Sequence, residues 1–222
     1  LAELATAVGR NRVAINMAWT LVAGFLVMFM QCGFAMLETG FCRVKNAANM
    51  MSMAFFIYPL VMLAFWVCGY AFMYGGLGSL STLGGYAGLD RELSITLFGK
   101  SFGLLGGKGF FLSGEGYDVG VFAMFLFQFV FLAAAAAIPP GAAAERWRFS
   151  SFCVYGALVG VVIYPVFGNW IWGGGWLSQL GKNFGLGHGA VDFAGSSVVH
   201  LQGGIMALLF AWLLGPRLGK YN

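Results

Sequence analysis

Apolar residues run in long blocks that no Asp, Glu, Lys or Arg interrupts: Met17 to Leu37, Asn46 to Leu89, Val119 to Ala144 and Phe149 to Gly181. A fifth block, Phe193 to Pro216, holds His200 but no other charged type. A helix needs roughly 20 such residues to cross a hydrocarbon core of about 30 Å. The pattern predicts five membrane-spanning helices near 16–39, 48–75, 119–142, 150–170 and 192–214. Between the second and third lies a Gly-dense stretch, 76–118, carrying Asp90, Arg91, Glu92, Lys100, Lys108, Glu115 and Asp118. It reads as one long aqueous loop.

Composition agrees with lipid as the solvent. Of 222 residues 60% are hydrophobic and 9% charged, where soluble domains carry about 25% charge, and the mean hydropathy is +0.82. Disordered, disulfide-stapled and nucleic-acid-binding classes are excluded: the net charge of +4 comes from bases scattered between apolar blocks, so no basic stripe follows a phosphate backbone. Cys32, Cys42, Cys68 and Cys153 show no paired spacing and read as free, buried thiols. Gly156-x-x-x-Gly160 and the run Ala133 to Ala137 provide small surfaces on which helices can approach closely. If 40–47, 143–149 and 215–222 face the cytoplasm, that side holds Arg43, Lys45, Arg146, Arg148, Arg217 and Lys220. The other side holds Arg10, Arg12, Arg91, Lys100, Lys108 and Lys182, so the orientation rests on the first six crowding into three short segments.

Candidate chemistry begins with residues that are costly in a membrane. Asp192 and His200 open the fifth block eight residues apart, a little over two helical turns, so both can project to a similar side. Asp192 also suits a helix N-cap, and His200 suits either a packed hydrogen-bonded core position or a pore. Phe127 and Phe131, four apart, share a helix face beside Gln128, a spacing equally suited to packing. Trp170-Ile-Trp172-Gly-Gly-Gly-Trp176 reads as an interfacial belt or as a backbone turned tightly beneath an indole at the mouth of a cavity. Ring faces attract ammonium-type cations by about 0.5–2 kcal/mol. Three other sites are set aside. Gly103 to Gly109 misplaces the first glycine of a phosphate loop and lacks the hydroxyl after Lys108. His188 and His200 have no further ligand for a metal or haem. Ser196-Ser197 lacks an oxyanion frame. No cofactor is called for, and the chain does not read as an enzyme.

Gly40-Phe-Cys-Arg-Val-Lys-Asn46, Ala144-Glu-Arg-Trp-Arg-Phe149, Trp170 to Trp176 and Asp192-Phe-Ala-Gly-Ser-Ser-Val-Val-His200 together resemble the ammonium transporter (Amt/Mep/Rh) family, nearest its Amt branch. The resemblance implies an all-α membrane fold in which five transmembrane helices correspond to the first inverted half of an eleven-helix transporter. It implies a homotrimer with one pore per subunit, a multi-pass plasma- or inner-membrane location with the N-terminus outside, and contact with a cytoplasmic nitrogen-regulatory protein of PII type. By position Trp172 looks like the outer recruitment tryptophan, Phe127 and Phe131 like the stacked gate, and Asp192 like the acid that shapes the recruitment site. His200 resembles the first of two pore histidines, and Gln128 falls at a polar position beside the gate. The second inverted half, its histidine and the hydroxyl of the outer site are not in this sequence, so a fragment is expected. The function implied is capture of ammonium, deprotonation, and passage of ammonia through an apolar pore. The alternatives are an ammonium sensor with an Amt-like membrane domain and a Rhesus-like gas channel for ammonia or carbon dioxide.

Overall fold

A computed structural model describes residues 2–221. Among these residues five helical spans are long and apolar enough to cross a membrane: Ala2–Gly40, Val44–Tyr74, Val119–Ala143, Phe149–Ile171 and Ser196–Leu214. The first is helix α1 (Ala2–Gly40), which begins well before residue 16. Glu3, Arg10 and Arg12 end the uncharged block, but the Ala, Leu and Val residues between them sustain the helix.

The second span joins α2 (Ala47–Ala64) to α3 (Tyr70–Tyr74) through a π turn, Phe65–Gly69. The fourth joins α5 (Phe149–Leu158) to α6 (Tyr164–Ile171) through another, Val159–Ile163. These turns meet where the small residues predicted contact: the Cα of Gly69 rests against the carbonyl of Gly160. A Cβ on Gly160 would stand 2.7 Å from that of Ala64 and 3.2 Å from the Val61 carbonyl. The third span, α4 (Val119–Ala143), is the most enclosed and packs against α1, α2 and α8 (Gln202–Leu214), the last of which follows a short helix, α7 (Leu180–Phe184). Its alanine run, Ala133 to Ala137, is wholly buried.

Pro139 and Pro140 sit inside α4 and remove two amides from its ladder. Pro140 would have bonded the carbonyl of Ala136, and the Tyr155 hydroxyl donates to that oxygen instead at 3.0 Å. In lipid this matters because no water is present to take the place of the lost amide.

The stretch 76–118 is more ordered than a plain loop. It contains an antiparallel hairpin, β1 (Glu92–Leu97) with β2 (Lys100–Gly106), with a register shift between Leu93 and Ser94. The hairpin lies on the end of α6: Trp170 Nε1 donates to Leu104 O, and the amide of Trp176 donates to Gly103 O. Lys108 pairs with Asp90 at 2.7 Å and Glu115 at 2.5 Å.

At the other end, three segments distant in sequence converge on Glu145, whose side chain is 1% exposed. It accepts from the amide and guanidinium of Arg43, from Asn46 Nδ2 and from Arg217 Nη1. Chiefly through Arg43, this holds its carboxyl far below the usual carboxylate range. Among the described residues, the predicted grouping of 40–47, 143–149 and 215–222 is therefore joined at one end through Arg43, Glu145 and Arg217. The four cysteines are free and half-buried.

Substituting Gly160 with Ile should overfill the contact with α2 and cost about 1–3 kcal/mol. It should appear as a lower unfolding temperature of the purified protein in detergent, whereas an unchanged midpoint would mean that the two helices are free to separate there.

Candidate functional site

The local chain geometry that builds the site starts at Asp192. This residue is not within the fifth helix but four positions ahead of a π turn, Ser196–Leu201, that leads into α8. Its Oδ1 accepts from the amides of Gly195 and Ser196 and from Ser196 Oγ. Its Oδ2 accepts from the amides of Ser197 and Val198 and from Ser197 Oγ. Six donors meet a carboxylate with about four lone-pair positions, so no acceptor capacity is left for a ligand. Burial raises the Asp192 pKa, but these bonds outweigh it and bring the value down to about 2.

The expectation that Asp192 and His200 share a helix face is corrected by this arrangement. The Asp192 carboxylate folds back onto the chain, because a backbone with four orphan amides is a better partner than a helix neighbour eight residues away. His200 lies exposed on the surface of the described chain, and its Nδ1 is 3.1 Å from the carbonyl of Gly195. A carbonyl only accepts, so Nδ1 is the donor in this hydrogen bond.

Trp172 ends α6, and its indole Nε1 donates to the backbone carbonyl of Asp192 at 2.6 Å. The glycines behind it turn the chain: Gly174 has φ of +83°, and the Cα of Gly173 lies against the Met73 carbonyl, where no Cβ fits. Phe131 meets the indole edge-on, with centroids 5.7 Å apart and planes at 78°. Phe127 meets Phe131 at 5.1 Å and 64°, so the two phenylalanines are edge-to-face.

Together Phe127, Phe131, Trp172, Asp192 and Gln128 line one cavity of about 280 Å³, with Tyr74, Met124 and Phe193 completing it. Five of the six residues singled out in the sequence thus come together, and His200 lies outside the cavity. Two of the lining residues carry a buried polar atom with no hydrogen-bond partner, Gln128 Oε1 and the Tyr74 hydroxyl. Such orphans are rare and costly unless something else occupies them. Tyr74 escaped sequence reasoning because it lies in an unbroken apolar block, where a tyrosine reads as interfacial. The sole signal was its distance from the charged loop, too coarse to place a hydroxyl. Among the described residues no group of three His, Cys, Asp or Glu side chains could hold a metal ion.

Five apolar spans packed around an aromatic-lined cavity define a multi-span helical membrane protein. The profile of the Ammonium Transporter Family matches residues 18–222, and the chain belongs to that family. It is 46% identical over 210 residues to the ammonium transporter Amt2 of Archaeoglobus fulgidus, covering 94% of this chain and 40% of the relative. It is 36% identical to a putative ammonium transporter of Synechocystis, covering 98% of this chain and 43% of the relative. Among solved structures, a protein titled Sensor Amt Protein superposes with a TM-score of 0.74 at 32% identity, covering 96% of this chain and 47% of the other. Mep2 of Candida albicans does so with a TM-score of 0.68 at 27% identity, covering 91% of this chain and 39% of the other. The chain therefore spans less than half the length of these relatives, and its fold is a partial Amt fold.

Asp192→Asn should keep the shape of the cap while removing its charge. With the folded pKa near 2 and the ordinary value at 3.8, the stabilisation from Asp192 is complete above about pH 4 and lost as pH falls through 2. The expected result is that wild type loses stability relative to Asp192→Asn between pH 4 and 2. Parallel curves for the two proteins over that interval would contradict the assignment.

Proposed function

We propose that this segment forms the cation-capturing site and part of the conduction path of an ammonium transporter. The observation that carries the reading is the cavity in which Phe131 and Trp172 stand edge-to-face while Gln128 Oε1 and the Tyr74 hydroxyl lack partners. Ammonium matches both features. Its charge is attracted to ring faces, and its N–H groups supply the donors that two buried oxygens lack. The Asp192 carboxylate adds negative potential without becoming a ligand, since its lone pairs are already taken. Potassium, of comparable size, offers no N–H to those oxygens and no proton to give up.

A bare cation cannot continue into the bundle, because desolvating it costs far more than aromatic faces return. Capture at Trp172 and Phe131 is therefore followed by loss of a proton at the Phe127–Phe131 gate, and neutral ammonia moves on along α4 and α8. His200, with Nδ1 held by Gly195 O, presents Nε2 as an acceptor for the N–H of ammonia or for the released proton. In this reading the end bearing Arg43, Arg146 and Arg217 is cytoplasmic, the N-terminus is outside, and the exposed face of α1 (Trp19, Phe25, Phe29) meets lipid or a neighbouring subunit of a homotrimer. Contact with a PII-type regulator would fall at the cytoplasmic end. Transport rather than sensing is supported by the names of the two curated relatives above.

Full chain in liposomes should give an ammonium-dependent current. Trp172→Leu should weaken half-saturation by roughly 2–30-fold, the equivalent of about 0.5–2 kcal/mol, and His200→Ala should alter or abolish the current. Transport that is indifferent to His200→Ala would remove that residue from the path.

A further inference from the structure

The buried residues of α1 are few: Gly24, Gln31, Ala35 and Glu38. Gln31 is accounted for, since its Nε2 donates to the Ala54 carbonyl at 2.5 Å. Glu38 is not: it is 6% exposed, its Oε2 has no partner, and the neighbouring Thr39 Oγ1 is equally buried and unpartnered. A carboxyl so placed near the end of a membrane helix is expensive and calls for a function.

Glu38 lines a groove of about 410 Å³ with Phe34, Ile138, Gly141, Ala142 and Arg217. On α4, Phe127, Phe131, Ile138 and Ala142 lie four, seven and four apart, which places them on one stripe. The aromatic cavity holds the first two, and the Glu38 groove holds the last two. From Phe131 to Ala142 the helix rises roughly 16 Å. Between the two sites the stripe is met by α8 just beyond His200: a Cβ on Gly203 would stand 2.6 Å from Ile138 Cδ1 and 3.1 Å from Ala135 O. One helix face thus runs from the aromatic cavity, past the helix that follows His200, to a carboxyl whose Oε2 has no partner.

We propose that Glu38 is the group that returns a proton to ammonia at the inner end of this path. The inference rests on the transport reading above. The step is NH3 + Glu38-COOH → NH4+ + Glu38-COO−, in which an N–H bond forms as the carboxyl O–H breaks. The carboxyl is restored by the proton released at the Phe127–Phe131 gate and passed on by way of His200, so that one positive charge crosses with each ammonia. The groups facing Glu38 are otherwise occupied. Arg217 bonds Glu145 and the Phe41 carbonyl, Tyr155 on α5 bonds Ala136 O, Arg146 bonds the carbonyls of Gly215 and Ala142, and Cys42 is a neutral thiol on the adjoining turn. The approach of α4 is set by Gly141, where a Cβ would stand 3.2 Å from Glu38 Oε1.

The test compares wild type, Glu38→Gln and Glu38→Asp as full chains in liposomes. It reads ammonium-evoked current as a function of pH on the side of the Glu38 groove, together with ammonium quenching of tryptophan fluorescence as a report on the aromatic cavity. Glu38→Gln should cut the current by about tenfold or more and flatten its pH profile, leave half-saturation of the quench within about twofold, and be partly rescued by Glu38→Asp. Current within about twofold of wild type in Glu38→Gln overturns the proposal, since removal of an acid group should cost more than that. Loss of current and quench alike in both variants also overturns it, by making Glu38 a packing residue. A wild-type protein that carries no current fails at the transport reading itself, and the proposal falls with it.

Discussion

The Asp192 carboxylate is the fixed point of the site. It gathers the amides of Gly195 to Val198 and so sets the π turn that begins the last span. The same residue's carbonyl receives the Trp172 indole, and the Gly195 carbonyl, held in place by the turn, faces His200 Nδ1. Two side chains from different spans, Trp172 and His200, are thereby positioned through one short stretch of backbone. Gly195 has φ of +97° and lies close to both Val199 and the Trp172 ring, so glycine alone fits between cap and indole.

The same need, to satisfy backbone groups where water is absent, organises the rest of the bundle. Polar side chains within the spans bond carbonyls more than they bond each other. Tyr155 serves Ala136 below the α4 prolines, Gln202 Nε2 serves Ile163 at the second π turn, and Asn169 Nδ2 serves Met73 in the last turn of α3. Each bond contributes only about 0.5–1.5 kcal/mol net, whereas a missing partner costs about 1–3 kcal/mol. That asymmetry makes Tyr74, Gln128 and Glu38 informative. Theirs are not the only buried side-chain atoms without a partner, since the hydroxyls of Tyr58, Tyr70 and Tyr164 are also unpaired; what sets the three apart is that they line a cavity or groove.

Much of this was legible in the sequence because hydrophobic blocks, paired-aromatic spacing and capping chemistry are local properties. The five blocks gave the five spans, the four-residue interval gave one face to Phe127 and Phe131, and Asp192 read as a cap from the helix start that follows it. Other features depended on distant contacts. Glu92–Leu97 is short and half polar, and it pairs only because β2 folds back beside α6. Glu38 ends an apolar block, and nothing in its local spacing signals the close approach at Gly141 that buries it. The supposed polar face of Asp192 and His200 failed because helical spacing was applied to a residue outside the helix, ahead of a π turn that breaks the 3.6-residue period.

A carboxylate with every lone pair occupied has a further consequence for passage. A free carboxylate beside the aromatic cavity would pair directly with ammonium and hold it, since charge-assisted bonds are roughly twice as strong as neutral ones. Saturating Asp192 with backbone amides keeps the negative field that favours the cation but removes the contact that would trap it. In the proposed function the neutral oxygens of Tyr74 and Gln128 would orient N–H groups without binding them tightly. On the proposed reading, the source of potential is separate from the groups that would meet the cation, an arrangement suited to a site that must release what it captures.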